Sequence, residues 1–120
     1  MVNKSIEELC LEYGIKNYSI NEDGSIDVNG NVNLSHRNLT ELPLSFNIIN
    51  GNFYCSYNKL TTLKGSPKIV NEGGFYCGYN KLTSLKHAPI KVDSHFSCNG
   101  NQLKDITDKP KEINGNFFYN

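Results

Sequence analysis

Ile49-Asn50-Gly51-Asn52-Phe53-Tyr54-Cys55-Ser56-Tyr57-Asn58-Lys59-Leu60-Thr61-Thr62-Leu63-Lys64-Gly65-Ser66-Pro67 is the stretch that decides the fold. Its opening residues alternate as a strand with one buried face does. Ile49, Gly51, Phe53 and Cys55 are expected inward; Asn50, Asn52 and Tyr54 are expected outward. Leu60 and Leu63 then bring the chain back over the core. Pro67, with its fixed φ and no N–H, suits a return segment outside any ladder. The pattern recurs on both sides. Phenylalanines stand at Phe53, Phe75, Phe96 and Phe117, at intervals of 22, 21 and 21, and Val32 extends the series back by 21. Two residues after each comes Leu34, Cys55, Cys77, Cys98 or Tyr119. Four before each comes Val28, Ile49, Val92 or Ile113, with Val70 five before because one residue is inserted. A fixed period of this length marks a repeat architecture, in which each unit buries its apolar face only against its neighbours. The expectation is a mainly β fold, a short β-solenoid of about five coils with parallel strands.

The unit Phe75-x-Cys77-x-x-Asn80-x-Leu82-Thr83-x-Leu85 resembles the leucine-rich-repeat core, with Phe and Cys in place of two leucines. More narrowly, Tyr18-Ser-Ile-Asn-Glu-Asp-Gly-Ser-Ile-Asp-Val28, followed by Asn38-Leu39-Thr40 and the Cys-x-x-Asn repeats, resembles leucine-rich-repeat-like proteins of large tailed bacteriophages. The likeness runs over nearly the whole chain from Ile6. It implies a leucine-rich-repeat-like solenoid used as an interaction surface, and it implies no shared catalytic residues. The first unit departs from the pattern. Arg37 occupies the Asn position, Asn38 comes one step late, and Pro43 follows Leu42 directly. First units differ in this way where they join a cap.

That cap is expected over residues 1–28, as an α-helix plus a β-hairpin, packed with the solenoid of residues 28–120 as a single domain. Ser5 with Glu8 three later is a capping box, and Ile6, Leu9 and Tyr13 fall on one helical face. Gly14 can end the helix. Asn21-Glu22-Asp23-Gly24 between Tyr18–Ile20 and Ser25–Val28 carries the Asp-Gly of a hairpin turn. At the other end the chain stops at Asn116-Phe117-Phe118-Tyr119-Asn120, inside a strand register. A terminal strand left uncovered is a template for pairing, so Phe117, Phe118 and Tyr119 are candidates for self-association as a homodimer.

The 120 residues suffice for one core. Twelve basic residues balance twelve acidic ones. That argues against nucleic acid or an anionic membrane as partner, since both are held by an excess of Lys and Arg. No apolar run approaches a membrane span, and charges stand at Lys4, Glu7 and Glu8 where a secretory leader would be apolar. A cytoplasmic location follows, in the host cell if the chain is phage-encoded, with the cysteines as thiols.

Each residue able to carry chemistry has a structural reading. Cys55, Cys77 and Cys98 form a row along the axis and not a tetrahedron, so no metal and no cofactor is expected. They read as small buried hydrophobes. Asn58, Asn80 and Asn101 sit where the strand bends and can bond backbone groups of their own and neighbouring coils. Gly30, Gly51, Gly73 and Gly115 are expected to make space beside a bulky Phe in the next coil, and Glu72-Gly73-Gly74 to form a bulge. Asp93-Ser94-His95 cannot form a relay, because adjacent strand residues face opposite ways. The outward columns are Asn33, Tyr54, Tyr76, Ser97 and Phe118, and beside them Asn31, Asn52, Gly74, His95 and Asn116; Tyr57 and Tyr79 flank the turn with His36 and Gly100 in register. Lys59 with Lys81, and Lys64 with Lys86, make two short loop columns.

An uncharged surface with an aromatic stripe is the mix that favours protein interfaces. The expectation is a non-catalytic protein-binding module, not an enzyme, engaging its partner through Tyr54, Tyr76, Asn52, His95, Ser97, Asn116 and Phe118. If the phage resemblance holds, the partner is a host factor, a defence protein to be inhibited. The alternatives are a structural protein that self-associates through its last strand, and a carbohydrate-binding module.

Overall fold

The computed structural model describes Lys4–Tyr119. The Met1–Asn3 start and Asn120, placed above in the last strand, lie outside the described residues. Helix α1 (Ile6–Glu12) begins as its sequence demands. The Ser5 hydroxyl accepts the Glu8 N–H at 3.1 Å while the Glu8 carboxylate accepts the Ser5 N–H at 2.9 Å, which satisfies two of the helix's orphan donors. Tyr13 ends it and Gly14, at φ +68°, turns the chain away. Cys10 is fully buried, and Ile6, Leu9 and Tyr13 pack on the core. Strands β1 (Tyr18–Ile20) and β2 (Ile26–Val28) form the antiparallel hairpin. In its turn the Asp23 carboxylate accepts from both the N–H and the hydroxyl of Ser25, at 2.9 and 2.6 Å.

Strand β2 also opens a larger sheet. With β4 (Phe46–Asn50), β6 (Ile69–Asn71), β8 (Lys91–Val92) and β10 (Glu112–Ile113) it makes a sheet ordered β1-β2-β4-β6-β8-β10. A second sheet holds β3 (Val32–Asn33), β5 (Phe53–Tyr54), β7 (Phe75–Tyr76), β9 (Phe96–Ser97) and β11 (Phe117–Phe118), in that spatial order. Every pair after the hairpin is parallel, and Phe53 faces Phe75, which faces Phe96, which faces Phe117. This is the expected mainly β, parallel-strand solenoid, with about four full turns between its five strand pairs. The hairpin and the coils share β2, so cap and solenoid are joined by one sheet.

Two expectations change in detail. The alternating run from Ile49 to Cys55 is not one strand. β4 ends at Asn50, β5 starts at Phe53, and Gly51–Asn52 turns a corner from one sheet to the other. The glycines there are not making room for Phe. A Cβ on Gly51 would lie 2.7 Å from the Gly30 carbonyl carbon, and one on Gly73 would lie 2.4 Å from that of Gly51. The corners of successive coils stack backbone on backbone. The inserted residue is taken up at the same corner. Glu72 adopts φ +61° and donates its N–H to the Asp93 carboxylate at 3.0 Å, so both sheets keep register on either side.

Between the sheets and the return segments the core is built of columns. The rings of Phe53, Phe75 and Phe96 stack at 5.2 and 5.5 Å, 6° and 8° from parallel, and all three are fully buried. Leu60, Leu63, Leu82 and Leu85 close the core from the return side. Burial weakens toward the C-terminal end, where Leu103 and Ile106 of the fourth coil and Ile113 and Phe117 of the last strand pair are only partly covered. Phe117 tilts 51° from Phe96, and the Tyr119 ring lies on it at 4.7 Å. Tyr119, expected inward in the cysteine column, is therefore 51% exposed. Among the described residues, no strand pairs with the outer edges of β10 and β11, and no helix is long and apolar enough to cross a membrane.

Candidate functional site: the outward aromatic columns and the ladders behind them

What the inner polar residues do decides what the outer surface is free to do. Asn80 is buried at the bend after β7. Its amide nitrogen donates to the carbonyls of Cys55 and Cys77, both at 3.0 Å, and of Gly78 at 3.3 Å, while its oxygen accepts the Leu60 N–H at 3.0 Å. Asn58 does the same one coil earlier. It donates to Leu34 and Cys55 and accepts the N–H groups of Arg37 and Leu39. Asn101 donates to Cys77 and Cys98 and accepts from Leu82. Each asparagine thus ties its own bend to the coil before it. Arg37, at the asparagine position of the first coil, lies over the Tyr13 ring at 5.2 Å and joins that coil to the helix.

Cys55, Cys77 and Cys98 are free, buried thiols. Burial pushes all three up, Cys98 to about 11 and Cys55 and Cys77 well above the usual thiol value, the last also because it lies between the other two. A folded-state value above the unfolded one means the protonated thiols favour the fold below about pH 9. That contribution is lost as pH rises from about 9 through the folded value, about 11 for Cys98. We expect a thiol reagent at pH 8 to modify Cys55 and Cys77 only as fast as the protein unfolds. Full labelling within minutes far below Tm would contradict the burial.

The column Asn31, Asn52, Gly74, His95 and Asn116 belongs to the corners. The side-chain oxygen of Asn31 accepts the Asn52 N–H at 2.8 Å, Asn52 accepts the Gly74 N–H at 2.8 Å, and His95 Nδ1 accepts the Asn116 N–H at 2.9 Å. This second ladder uses the acceptors of Asn52 and His95 between coils, where the sequence places them facing a partner. At Gly74 the column has no side chain: a Cβ there would meet the His95 carbonyl oxygen at 2.6 Å and the Tyr76 hydroxyl at 2.7 Å. Asp93 and His95 are each engaged with another coil's backbone N–H. In the groove lined by Asp23, Ser25, Ser66, Lys68 and His87, the buried Ser66 hydroxyl has no hydrogen-bond partner. Ser25 in the same groove is bonded to Asn21 and Asp23, and among the described residues neither serine bonds His87. Among the described residues no cluster of His, Cys, Asp or Glu could hold a metal ion.

Two aromatic columns face outward. Tyr54 and Tyr76 stack at 5.2 Å on the second sheet and are half-buried, in line with Asn33, Ser97 and Phe118, the last 43% exposed. At the bend that follows, His36, Tyr57 and Tyr79 stack at 4.7 and 4.8 Å, within 8° of parallel. Tyr57 and Tyr79 are each 52% exposed. Their backbones are left-handed, at φ +59° for His36, +57° for Tyr57 and +56° for Tyr79; Gly100 takes the same position in the fourth coil at +73°. The sequence register lines these residues up but does not reveal the stack or the backbone. Of the residues expected to self-associate, Phe117 packs inward on Phe96, while Phe118 and Tyr119 stay exposed. Compared with known proteins, the chain matches no protein-family model, no curated protein and no solved structure.

Proposed function

We propose that the chain is a non-catalytic protein-binding module that engages its partner through the side bearing the Tyr54/Tyr76 and His36/Tyr57/Tyr79 columns. One observation carries this reading: bulky aromatic side chains are held exposed on a left-handed backbone. That conformation costs about 1–2 kcal/mol per L-residue and suits Gly or Asn, as Gly100 illustrates. Ring stacking returns only about 0.5–1.5 kcal/mol per pair. A sequence selected for stability alone has little reason to place His, Tyr and Tyr there; one selected for recognition does. Tyrosine also supplies large contact area at low entropic cost.

In the variant Tyr57→Asn/Tyr79→Asn, lost stacking and relieved strain offset each other. Its Tm should stay within a few degrees of wild type. Affinity capture from a bacterial lysate, read by mass spectrometry, should recover a protein with wild type that drops about tenfold with this variant or with Tyr54→Ala/Tyr76→Ala. Equal recovery by all three would place the interface elsewhere. The resemblance of the Cys-x-x-Asn-x-Leu-Thr-x-Leu units to bacteriophage proteins supports taking a host defence protein as the first partner to seek, and the host cytoplasm as its place. Carbohydrate recognition is less well supported, since sugars stack on open ring faces and these rings turn their faces to one another.

A second reading is self-association. It is favoured by the unpaired outer edge of β11 among the described residues, with Phe118 and Tyr119 exposed beside it. Sedimentation should then show a concentration-dependent dimer that Phe118→Lys abolishes. A monomer at about millimolar concentration would exclude it.

A further inference from the structure

Formal neutrality hides a separation of charge. Residues 1–41 hold seven carboxylates and three basic side chains; residues 42–91 hold six lysines and a single carboxylate, Glu72. The bends and return segments of two successive coils, 56–68 and 77–91, carry Lys59, Lys64, Lys68, Lys81, Lys86 and Lys91 with no Asp or Glu between them. Among the described residues the ion pairs are Lys4 with Glu12 and Lys91 with Asp93 and Glu112, so Lys59, Lys64, Lys81 and Lys86 have none. All four are exposed. They recur in register, Lys59 and Lys81 two residues beyond the stacked Tyr57 and Tyr79, Lys64 and Lys86 at the end of the same segments.

From this arrangement we infer that Tyr57, Tyr79, Lys59, Lys81, Lys64 and Lys86 form a docking surface for a carboxylate-rich protein segment. The inference rests on the protein-binding reading and names the partner's chemistry. Charge complementarity supplies the attraction: unpaired ammonium groups stand one coil apart on two segments that carry no carboxylate of their own, with Glu41 beside Lys64 at one edge. The middle ring of the stack bears on which acidic partner fits. A nucleobase binds by lying on an open aromatic face, and both faces of Tyr57 are covered, by His36 at 4.7 Å and Tyr79 at 4.8 Å. What Tyr57 offers instead is its edge, the positive part of the ring quadrupole, in line with the edge of Tyr79. The stack also offers two phenol hydroxyls that make no hydrogen bond among the described residues. Edges, O–H donors and ammonium groups together suit carboxylates.

The test uses the whole chain, isotopically labelled, titrated with poly-L-glutamate and watched by two-dimensional amide NMR. Shifts should gather at residues 57–64 and 79–86. The apparent Kd should weaken at least tenfold in Lys59→Glu/Lys81→Glu, and less than about threefold in Lys16→Glu/Lys111→Glu, which changes the net charge equally. It should also weaken steeply between about 0.1 M and about 1 M salt, as the screening length falls from about 10 Å to about 3 Å. Lys59→Gln/Lys81→Gln repeats the test if charge reversal lowers Tm. Equal weakening by both glutamate pairs would overturn the inference, as unspecific attraction. Tighter binding of oligo-dT or of anionic phospholipid vesicles to the same residues would also overturn it. If polyglutamate fails while the tyrosine variants still lose a captured protein, the acidic partner falls and the protein-binding reading stands.

Discussion

Replacing Asn80 by leucine, a side chain of similar size, is expected to destabilise the protein by about 3 kcal/mol, the upper end for orphaning a buried backbone group. The reason lies in which groups lose a partner. The carbonyls of Cys55 and Cys77 each keep one asparagine donor, from Asn58 and Asn101, and Gly78 keeps the Tyr57 N–H. The Leu60 N–H loses its acceptor inside the core. At this chain length the loss corresponds to a fall in Tm of roughly 10 °C, measurable by thermal unfolding in circular dichroism. Asn101→Leu should cost less, because Asn101 is only partly buried and its bonds are part-exposed. A fall under about 2 °C for Asn80→Leu would mean that the ladder does not hold the coils.

The second large effect is expected from adding one methyl group. In Gly73→Ala the new Cβ would meet the Gly51 carbonyl carbon and oxygen at 2.4 Å and the Asn52 nitrogen at 2.7 Å, all of them backbone. No rotamer relieves such a contact, so the coils must part. The cost should reach about 3 kcal/mol, the high end for overpacking. Gly73 is not among the positive-φ glycines, so its cost is contact and not backbone strain. The matched pair is Gly51→Ala and Gly30→Ala. Both carry the strain of a φ of +147° or more, but only at Gly51 would the Cβ meet backbone, at 2.7 Å, whereas at Gly30 it would meet no atom within 4 Å. The difference between those two variants measures how tightly the corners stack. If they lose the same stability, backbone strain and not stacking explains their place in the column.

The period was legible because Phe53, Phe75, Phe96 and Phe117 repeat along with their cysteine and aliphatic companions. Ser5 with Glu8 and the Asp-Gly turn made the helix and hairpin legible for the same reason, each being a local signal with a local cause. The corner at Gly51–Asn52 was hidden for a physical reason. Both sheets face one interior, so in-and-out alternation runs through the corner from Ile49 to Cys55 without a break. The candidate site was less legible. Asn52 and His95 do leave the core, but at a corner a polar side chain can lie along the axis and meet the next coil's N–H. Tyr57 and Tyr79 stood in register with Gly100, yet a left-handed backbone is signalled by Gly or Asn and not by tyrosine. Only the dihedral angles expose the strain that makes them the best candidates.

The backward reach of the asparagines also gives the solenoid a direction. Asn80 completes the bonding of Cys55, 25 residues before it in the chain, and Asn101 that of Cys77, 24 residues before it. A coil is therefore bonded in full only where a following coil stands against it, so each repeat depends on its successor for the closure of its own bend.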